Sequence, residues 1–316
     1  MSLTSIISGS GFVYEDEFRT ILDESKPLKS DFTTISGRKP FLNICTNYPY
    51  ILETKYEAQL VGFTFDYLAR FMIAQKIKKN RMEVTKKLVA YAGLDLVQGH
   101  IFEEDFDIEG MFNSSINQII DYIQGNLDDF NILIRSAICL SRLEHVFRSK
   151  LFPTTEYVQQ WFEEVPKNIN QDLTQLCTDF ETEFMNVLVN EDSEVIFNPI
   201  FGRASEIVHG ADADIYIDGT LYDFKTIKQN GYLKANTMQL IGYYMLDRIN
   251  SEEFNGTPVG SGIKTIAFYK ARFGEIEKVD VANISNLEIQ VNKAKSLFKM
   301  WDDNLKDEEE MINNIN

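Results

Sequence analysis

Gly210-Ala211-Asp212-Ala213-Asp214-Ile215-Tyr216-Ile217-Asp218-Gly219-Thr220-Leu221-Tyr222-Asp223-Phe224-Lys225-Thr226 is the stretch whose reading decides the fold of this chain. Asp218-Gly219 is a two-residue hairpin signal, because a type I′ turn needs positive φ at both central positions. That turn sets the register: Ile217 faces Thr220, Tyr216 faces Leu221 and Ile215 faces Tyr222. Continued outward, it sets Asp214 against Asp223, Ala213 against Phe224 and Asp212 against Lys225. Opposed residues share a sheet face, as do residues two apart along a strand. Asp212, Asp214, Asp223 and Lys225 are therefore expected on one face, with Ala213, Ile215, Tyr222 and Phe224 on the other.

Like charges directly opposed destabilise a sheet, so stability alone does not explain such a face. A hard divalent cation changes the sign of the interaction, since Mg²⁺ takes carboxylate oxygens together with waters and phosphate oxygens. Lys225 can orient or deprotonate a water, or neutralise charge that develops on a phosphate. The plainer alternative is an exposed hairpin whose acids are solvated and whose lysine pairs with one of them. A second signal follows at Gln239-Leu240-Ile241-Gly242-Tyr243-Tyr244-Met245-Leu246, where apolar residues recur at helical spacing. Gln239 and Tyr243, at i and i+4, share a helix face. They can touch a phosphate or a base without adding charge, or simply rim a half-buried helix.

The order acid, short strand, Asp223-Phe224-Lys225, then Gln239-x-x-x-Tyr243 resembles the PD-(D/E)XK phosphodiesterases, and the last element resembles the RecB-like exonuclease branch. The resemblance covers residues 195–247 and extends to 55–80. It implies an α/β (mixed α+β) restriction-endonuclease-like core, a mixed central sheet flanked by helices, here with a large helical insertion. It further implies Asp214 (or Asp212) as the second-motif acid and Asp223 with Lys225 as the core motif. Gln239 and Tyr243 then complete the catalytic set. An earlier Gly-x-x-x-His helix of that branch is matched here by Gly62-Phe63-Thr64-Phe65-Asp66, where Asp66 stands in the histidine's place. Glu57 and Glu206 are rivals for that ligand. Asp66, Asp212, Asp214 and Asp223 are the expected ligands of Mg²⁺ or Mn²⁺. Some members of the branch carry an iron–sulfur cluster on four cysteines. Cys45, Cys139 and Cys177 are too few for one and are expected to be buried free thiols.

Composition bounds the reading. A chain of 316 residues, 44% of them hydrophobic, can bury one large or two modest cores. The pattern shows neither a secretory signal nor a transmembrane stretch. Scattered cysteines suit a reducing, cytoplasmic setting. The formal net charge of −17 opposes nucleic-acid binding, which rests on Lys and Arg neutralising phosphates. Two remedies are open. Lys225, Lys228, Lys234, Lys264, Lys270 and Arg272 could form a local basic rim, or a protein partner could supply the grip.

Along the chain, residues 1–54 read as an irregular N-terminal segment, with helices beginning near Tyr56. Residues 55–80 form the first core helix. Residues 81–193 form a mainly helical insertion, in which 81–93, 115–149, 157–162 and 172–189 read as helical and 102–112 as an acidic loop. The nuclease core is 194–301. It opens on a strand at 194–201 and contains a strand at 263–271, a second turn at 272–275 and a helix at 287–301. Residues 302–316 read as a frayed acidic tail; Asp302 to Glu310 holds six acids and one lysine. No phosphate-cradling glycine loop is present. His209 adjoins the hairpin, while His100 and His145 read as structural.

Two function classes follow. One is a metal-dependent nuclease, expected to act on DNA with RNA as the other candidate, without membrane association, and by family analogy in prokaryotic antiphage or plasmid defence. The other is a catalytically weak or inactive nuclease-fold protein serving as a binding or regulatory subunit.

Overall fold

The computed structural model describes residues 2–9, 11–42, 48–86, 88–100, 107–154, 158, 160–162 and 165–315. Its centre is the hairpin. Strand β3 (Ile215–Ile217) runs antiparallel to β4 (Thr220–Lys225), with Ile217 on Thr220, Tyr216 on Leu221 and Ile215 on Tyr222. Asp218 and Gly219 have φ of 47° and 90°, as the primed turn requires. The Asp218 carboxylate also accepts the Glu194 N–H, tying the turn to β2 (Val195–Phe197). β5 (Thr265–Lys270) lies parallel to β4, and β6 (Glu275–Asp280) returns antiparallel. With β1 (Thr33–Thr34) on the far edge, the order of this six-stranded mixed sheet is β1-β6-β5-β4-β3-β2. β4 is thus an inner strand, and its four middle residues are buried.

Helices cover both faces. On one lie α3 (Lys55–Lys76), α4 (Val89–Gln98), α5 (Ile108–Gln124), α6 (Phe130–Ser149) and α7 (Lys167–Phe180). Their apolar residues form one cluster with Ile215, Ile217, Tyr222, Phe224 and Tyr269. A π-helical turn at Glu181–Met185 extends α7 and places Phe184 against the sheet. Phe65, Phe180, Phe184, Tyr222, Phe224 and Tyr269 meet there largely edge-to-face, at 5.0 Å for Phe184–Tyr222 and 5.6 Å for Phe180–Phe224. Such pairs add about 0.5–1.5 kcal/mol each beyond their burial. The helical segment expected as an insertion therefore shares its core with the sheet.

The opposite face is covered by α1 (Leu3–Ser8), α2 (Val13–Ser25), α8 (Gly202–Ile207), α9 (Lys234–Glu252) and α10 (Leu287–Ile315), packed on Tyr216, Leu221, Ile266 and Phe268. Four sequence expectations are corrected here. The N-terminal segment is not irregular over 3–25, which holds α1 and α2. Phe18, Ile21, Leu22 and Ser25 form the buried stripe of α2, and Ser2 is the N-cap of α1. Helix α5 begins at Ile108 with Asp107 as its cap, so only the part of the acidic loop at 101–106 lies outside the described residues. The strand expected over 194–201 is only three residues long. The acidic tail is no frayed end, since α10 runs on through it. Asp302 is buried between Arg203 and Lys306, which neutralise the first of its acids. Among the described residues no helix is long and apolar enough to cross a membrane.

One buried ion pair fastens the helical layer to the sheet. Both guanidinium nitrogens of Arg272, just past β5, donate to the Asp172 carboxylate on α7 at 2.8 Å. Arg272 Nε donates to Thr226 O beyond β4, and its guanidinium stacks over Tyr50. Removing one partner of such a pair strands the other without solvent. Asp172→Ala is expected to lower the unfolding free energy by about 3–5 kcal/mol, and Asp172→Leu with Arg272→Met to recover most of it. Urea midpoints at unchanged slope measure both. Equal losses in single and double variants would assign the cost to packing and not to the orphaned charge.

Candidate functional site

The hairpin register ends at Ile215 and Tyr222. Beyond it the chain leaves the ladder, which corrects the expected opposition of Asp214 to Asp223 and of Asp212 to Lys225 through backbone pairing. Asp212 bridges Ile200 instead, the Ala213 N–H donates to Pro199 O, and the Asn198 N–H donates to Asp214 O. Ala213 consequently turns into the core on the α9 side, away from Ile215, Tyr222 and Phe224. The gap left beside β4 is closed by a side chain: the Phe224 N–H donates to Asp214 Oδ2 at 2.5 Å. Asp214 thus still reaches β4, through its carboxylate.

Asp223 sits in the middle of β4, 3% exposed. Lys225 Nζ lies 2.7 Å from its Oδ2, a close ion pair. Lys225 also reaches Gln239 Oε1 at 3.4 Å, and Gln239 Nε2 donates to the Tyr243 hydroxyl at 2.7 Å. The helical spacing of Gln239 and Tyr243 therefore delivers both to the C-terminal end of β4.

Asp66 arrives from α3. One turn earlier, a Cβ on Gly62 would lie 3.1 Å from Thr226 Oγ1. The glycine lets α3 pass close to the end of β4, with Asp66 on the same face at i+4. Arg70, 2% exposed, donates to Asp66 Oδ2 and to its backbone oxygen. Arg148 of α6 completes the cluster. Its Nε donates to Glu144 Oε1 at 2.7 Å, Glu144 Oε2 accepts from the Tyr67 hydroxyl at 2.6 Å, and Nη2 lies 3.4 Å from Asp212 Oδ2. A cavity of about 180 Å³ opens among Arg148, Asp212, Asp214, Gln239 and Tyr243, with Ser2, Leu3 and Thr4 of the α1 end as its far wall.

Burial and neighbouring charges shift the titration of several of these groups. Burial pushes the Asp214 carboxyl well above the usual carboxylate range, and the neighbouring charges of Asp66 and Asp223 push it further. Burial likewise lifts Asp66 to about 6; Arg70 pulls down, while Glu144 and Asp212 push up. For Lys225 burial opposes the charge, but Asp223 and Asp214 outweigh it and raise its pKa. Lys225 is therefore a cation here and not a base.

Does this set suit a divalent metal? Asp66 Oδ1 is buried without a hydrogen-bond partner, and hard cations take such oxygens. The donor chemistry fits. The arrangement is held by protein cations, however. Arg70, Lys225 and Arg148 occupy Asp66, Asp223 and Asp212, and among the described residues no three acid, histidine or cysteine side chains are gathered around a metal position. Asp212 stands apart from the others as the partner of Arg148.

The remaining candidates separate. Glu57 belongs to the N-terminal capping box of α3 and accepts from Asn168; nine residues from Asp66 is about 13 Å along a helix. Glu206 is exposed and pairs with Arg203. His209 is exposed, and His100 stacks on Phe152. Cys139 and Cys177 are buried and their thiols are pushed up by burial, Cys139 to about 12, which keeps both unreactive; Cys45 lies outside the described residues. Of the expected basic rim, Lys228, Lys234 and Lys264 are exposed, while Lys225, Lys270 and Arg272 are turned inward. Lys270 is 1% exposed over the Phe268 ring, Arg272 is spent on Asp172, Lys234 pairs with Asp23 and Lys228 caps Tyr50. Sequence reading missed Arg70, Glu144 and Arg148. Their signal was faint: acid-x-x-x-Arg spacing in Asp66–Arg70 and Glu144–Arg148, common on any helix.

No family model, curated protein or solved structure matches the chain.

Helix α9, which carries Gln239 and Tyr243, is anchored one turn further on by Asp247, whose Oδ1 accepts the Val259 N–H at 2.8 Å. Asp247 is 3% exposed, and burial pushes its pKa to about 6. A raised native pKa favours the protonated form, so the native state loses stability as pH rises from about 4 to about 6, up to about 3 kcal/mol above that. Asp247→Asn keeps the acceptor and never ionises. It is expected to match the wild type at pH 4 and to exceed it by about 2 kcal/mol at pH 7. Thermal or urea midpoints across that range check the sign; an asparagine variant weaker at pH 7 would show that the ionised carboxylate is the stabilising form.

Proposed function

We propose that this protein is a metal-dependent nuclease that hydrolyses phosphodiester bonds, with DNA as the substrate. One observation carries the reading. Asp214, buried beside Phe224, feels the charges of Asp66 on α3 and Asp223 on β4, which add to burial in raising its proton affinity, and Lys225 lies against Asp223. One buried oxygen, Asp66 Oδ1, lacks a hydrogen-bond partner. Folding stability gains nothing from that arrangement. The mixed sheet flanked by helices is in keeping with the PD-(D/E)XK resemblance, as is the delivery of Gln239 and Tyr243 to Lys225.

Asp223, Asp214 and the free oxygen of Asp66 would hold Mg²⁺ or Mn²⁺. When bound, such an ion supplies charge neutralisation on the phosphate and a lowered pKa for an attacking water. The chain's own groups do the rest. Lys225, kept protonated by Asp223 and Asp214, positions the nucleophile or stabilises charge on the phosphate oxygens. Tyr243, whose pKa burial raises, remains a neutral donor, and Gln239 fixes it from one side while holding Lys225 on the other. Ser2, Leu3 and Thr4 at the α1 end line the same cavity.

A second reading is favoured by a specific observation. The acids are already paired with Arg70, Arg148 and Lys225, and the chain carries a net charge of −17. A nuclease-fold subunit that binds a partner and does no chemistry would look the same in these respects. The two readings differ in what a metal does.

Purified protein with Mn²⁺ or Mg²⁺ is expected to cleave linear DNA. Asp223→Ala and Lys225→Ala are each expected to lower the rate by at least about 10³-fold, of the order seen when a transition-state charge partner is removed, with a native circular-dichroism spectrum. Cleavage that survives both changes and persists in EDTA would overturn the nuclease reading. Absence of cleavage together with absence of Mn²⁺ binding by calorimetry would establish the scaffold.

A further inference from the structure

The geometry points to Arg148, a residue of the helical layer, as the group that recognises substrate phosphate at this site. The inference rests on the nuclease reading above. Arg148 is carried by α6, far from the hairpin in sequence, yet it lines the same small cavity as Asp212, Asp214, Gln239 and Tyr243. Its hold is one-sided. Nε is fixed by Glu144, which is 5% exposed and is itself fixed by the buried Tyr67 hydroxyl. That leaves the outer edge of the guanidinium on the cavity, with the side chain 42% exposed. The outer edge meets only Asp212, at 3.4 Å and on a carboxylate that is itself 37% exposed. An exposed pair at that distance is worth under about 1 kcal/mol, whereas a guanidinium fork bonds two phosphate oxygens in the planar geometry that suits it. Glu144 and Tyr67 thus make a rigid mount, and Asp212 a weak counter-ion that a phosphate displaces.

The other basic groups near the site strengthen the case. Lys225 lies inside the cluster against Asp223, Arg70 is buried on Asp66, and Lys270 and Arg272 are enclosed on the sheet. Among the described residues lining the cavity, Arg148 is the cation with an exposed edge. A chain of net charge −17 needs such a contact to hold a polyanion.

The test titrates full-length protein in EDTA with a short fluorescein-labelled oligothymidylate over a range of KCl concentrations. Wild type is expected to bind with an affinity that falls with salt. Arg148→Met should weaken binding by about tenfold or more, the size of one charged hydrogen-bonding contact. It should also reduce the slope of log affinity against log salt by about 0.7, one phosphate contact on a single strand. Arg148→Lys should keep the slope and part of the affinity, and it is the control if the methionine variant unfolds. A merely structural arginine would leave the slope unchanged. Equal affinity and slope in wild type and Arg148→Met, in protein that cleaves with Mn²⁺, would overturn this inference alone. Wild-type protein that neither binds the oligonucleotide nor cleaves would overturn the nuclease reading, and this inference with it.

Discussion

A carboxylate buried in the middle of an inner strand is the constraint that organises this molecule. Asp223 is almost fully enclosed between β3 and β5. Removing an ion from water costs several kcal/mol unless charge and hydrogen bonds compensate. The compensation is assembled from distant parts of the chain. Lys225 answers Asp223 directly, and Asp214 leaves the hairpin ladder to cap the Phe224 N–H beside it. Asp66 brings a third negative charge and, with it, the buried Arg70. Asp223 and Asp66 are each met by a cation, and the Arg70–Asp66 pair depends on α3 lying where it does.

That dependence explains why the helical layer is not an independent appendage. Its apolar side forms one core with the sheet, and its polar side reaches the same site. Helix α6 does both: Leu140 and Leu143 lie in the shared core, while Glu144 and Arg148 face the acids. The buried Arg272–Asp172 pair fixes α7 to the segment after Lys225. A shift of the helical layer would disturb the packing and the charge balance together, which makes the site rigid without metal.

The hairpin was legible because its turn chemistry is local: two positive-φ positions fixed three residue pairs correctly. The helix carrying Gln239 and Tyr243 was legible because its apolar period is regular. What sequence missed was set by tertiary partners. Nothing in residues 210–214 signals that the strand abandons its partner for the 198–200 segment, and Ala213, small enough for either core, gives no warning. The basic residues after the hairpin looked like one continuous rim because sequence does not reveal that Glu277 and Asp172 draw Lys270 and Arg272 inside. The tail looked frayed because its charge pattern hides one residue, Asp302, that faces inward to Arg203. The arginines of the site were hidden by ordinariness, since acid-to-arginine spacing at i+4 decorates most soluble helices.

The pairings also sort the four acids that sequence grouped together. Arg70 is 2% exposed and anchored to the backbone of Asp66 as well as to its carboxylate. It cannot leave without becoming a buried, unpaired charge, so Asp66 has one oxygen to give. Lys225 is tethered by Gln239 on its other side and keeps Asp223 neutralised through a 2.7 Å contact. Arg148 is different, because its contact with Asp212 is long and open to water. A cation entering this cluster would therefore meet Asp66, Asp214 and Asp223 on the inside, where like charges already repel one another. Asp212 would remain at the rim, exchanging with whatever anion Arg148 holds. On that division of labour, the metal and the phosphate would occupy neighbouring places supplied by different layers of the fold.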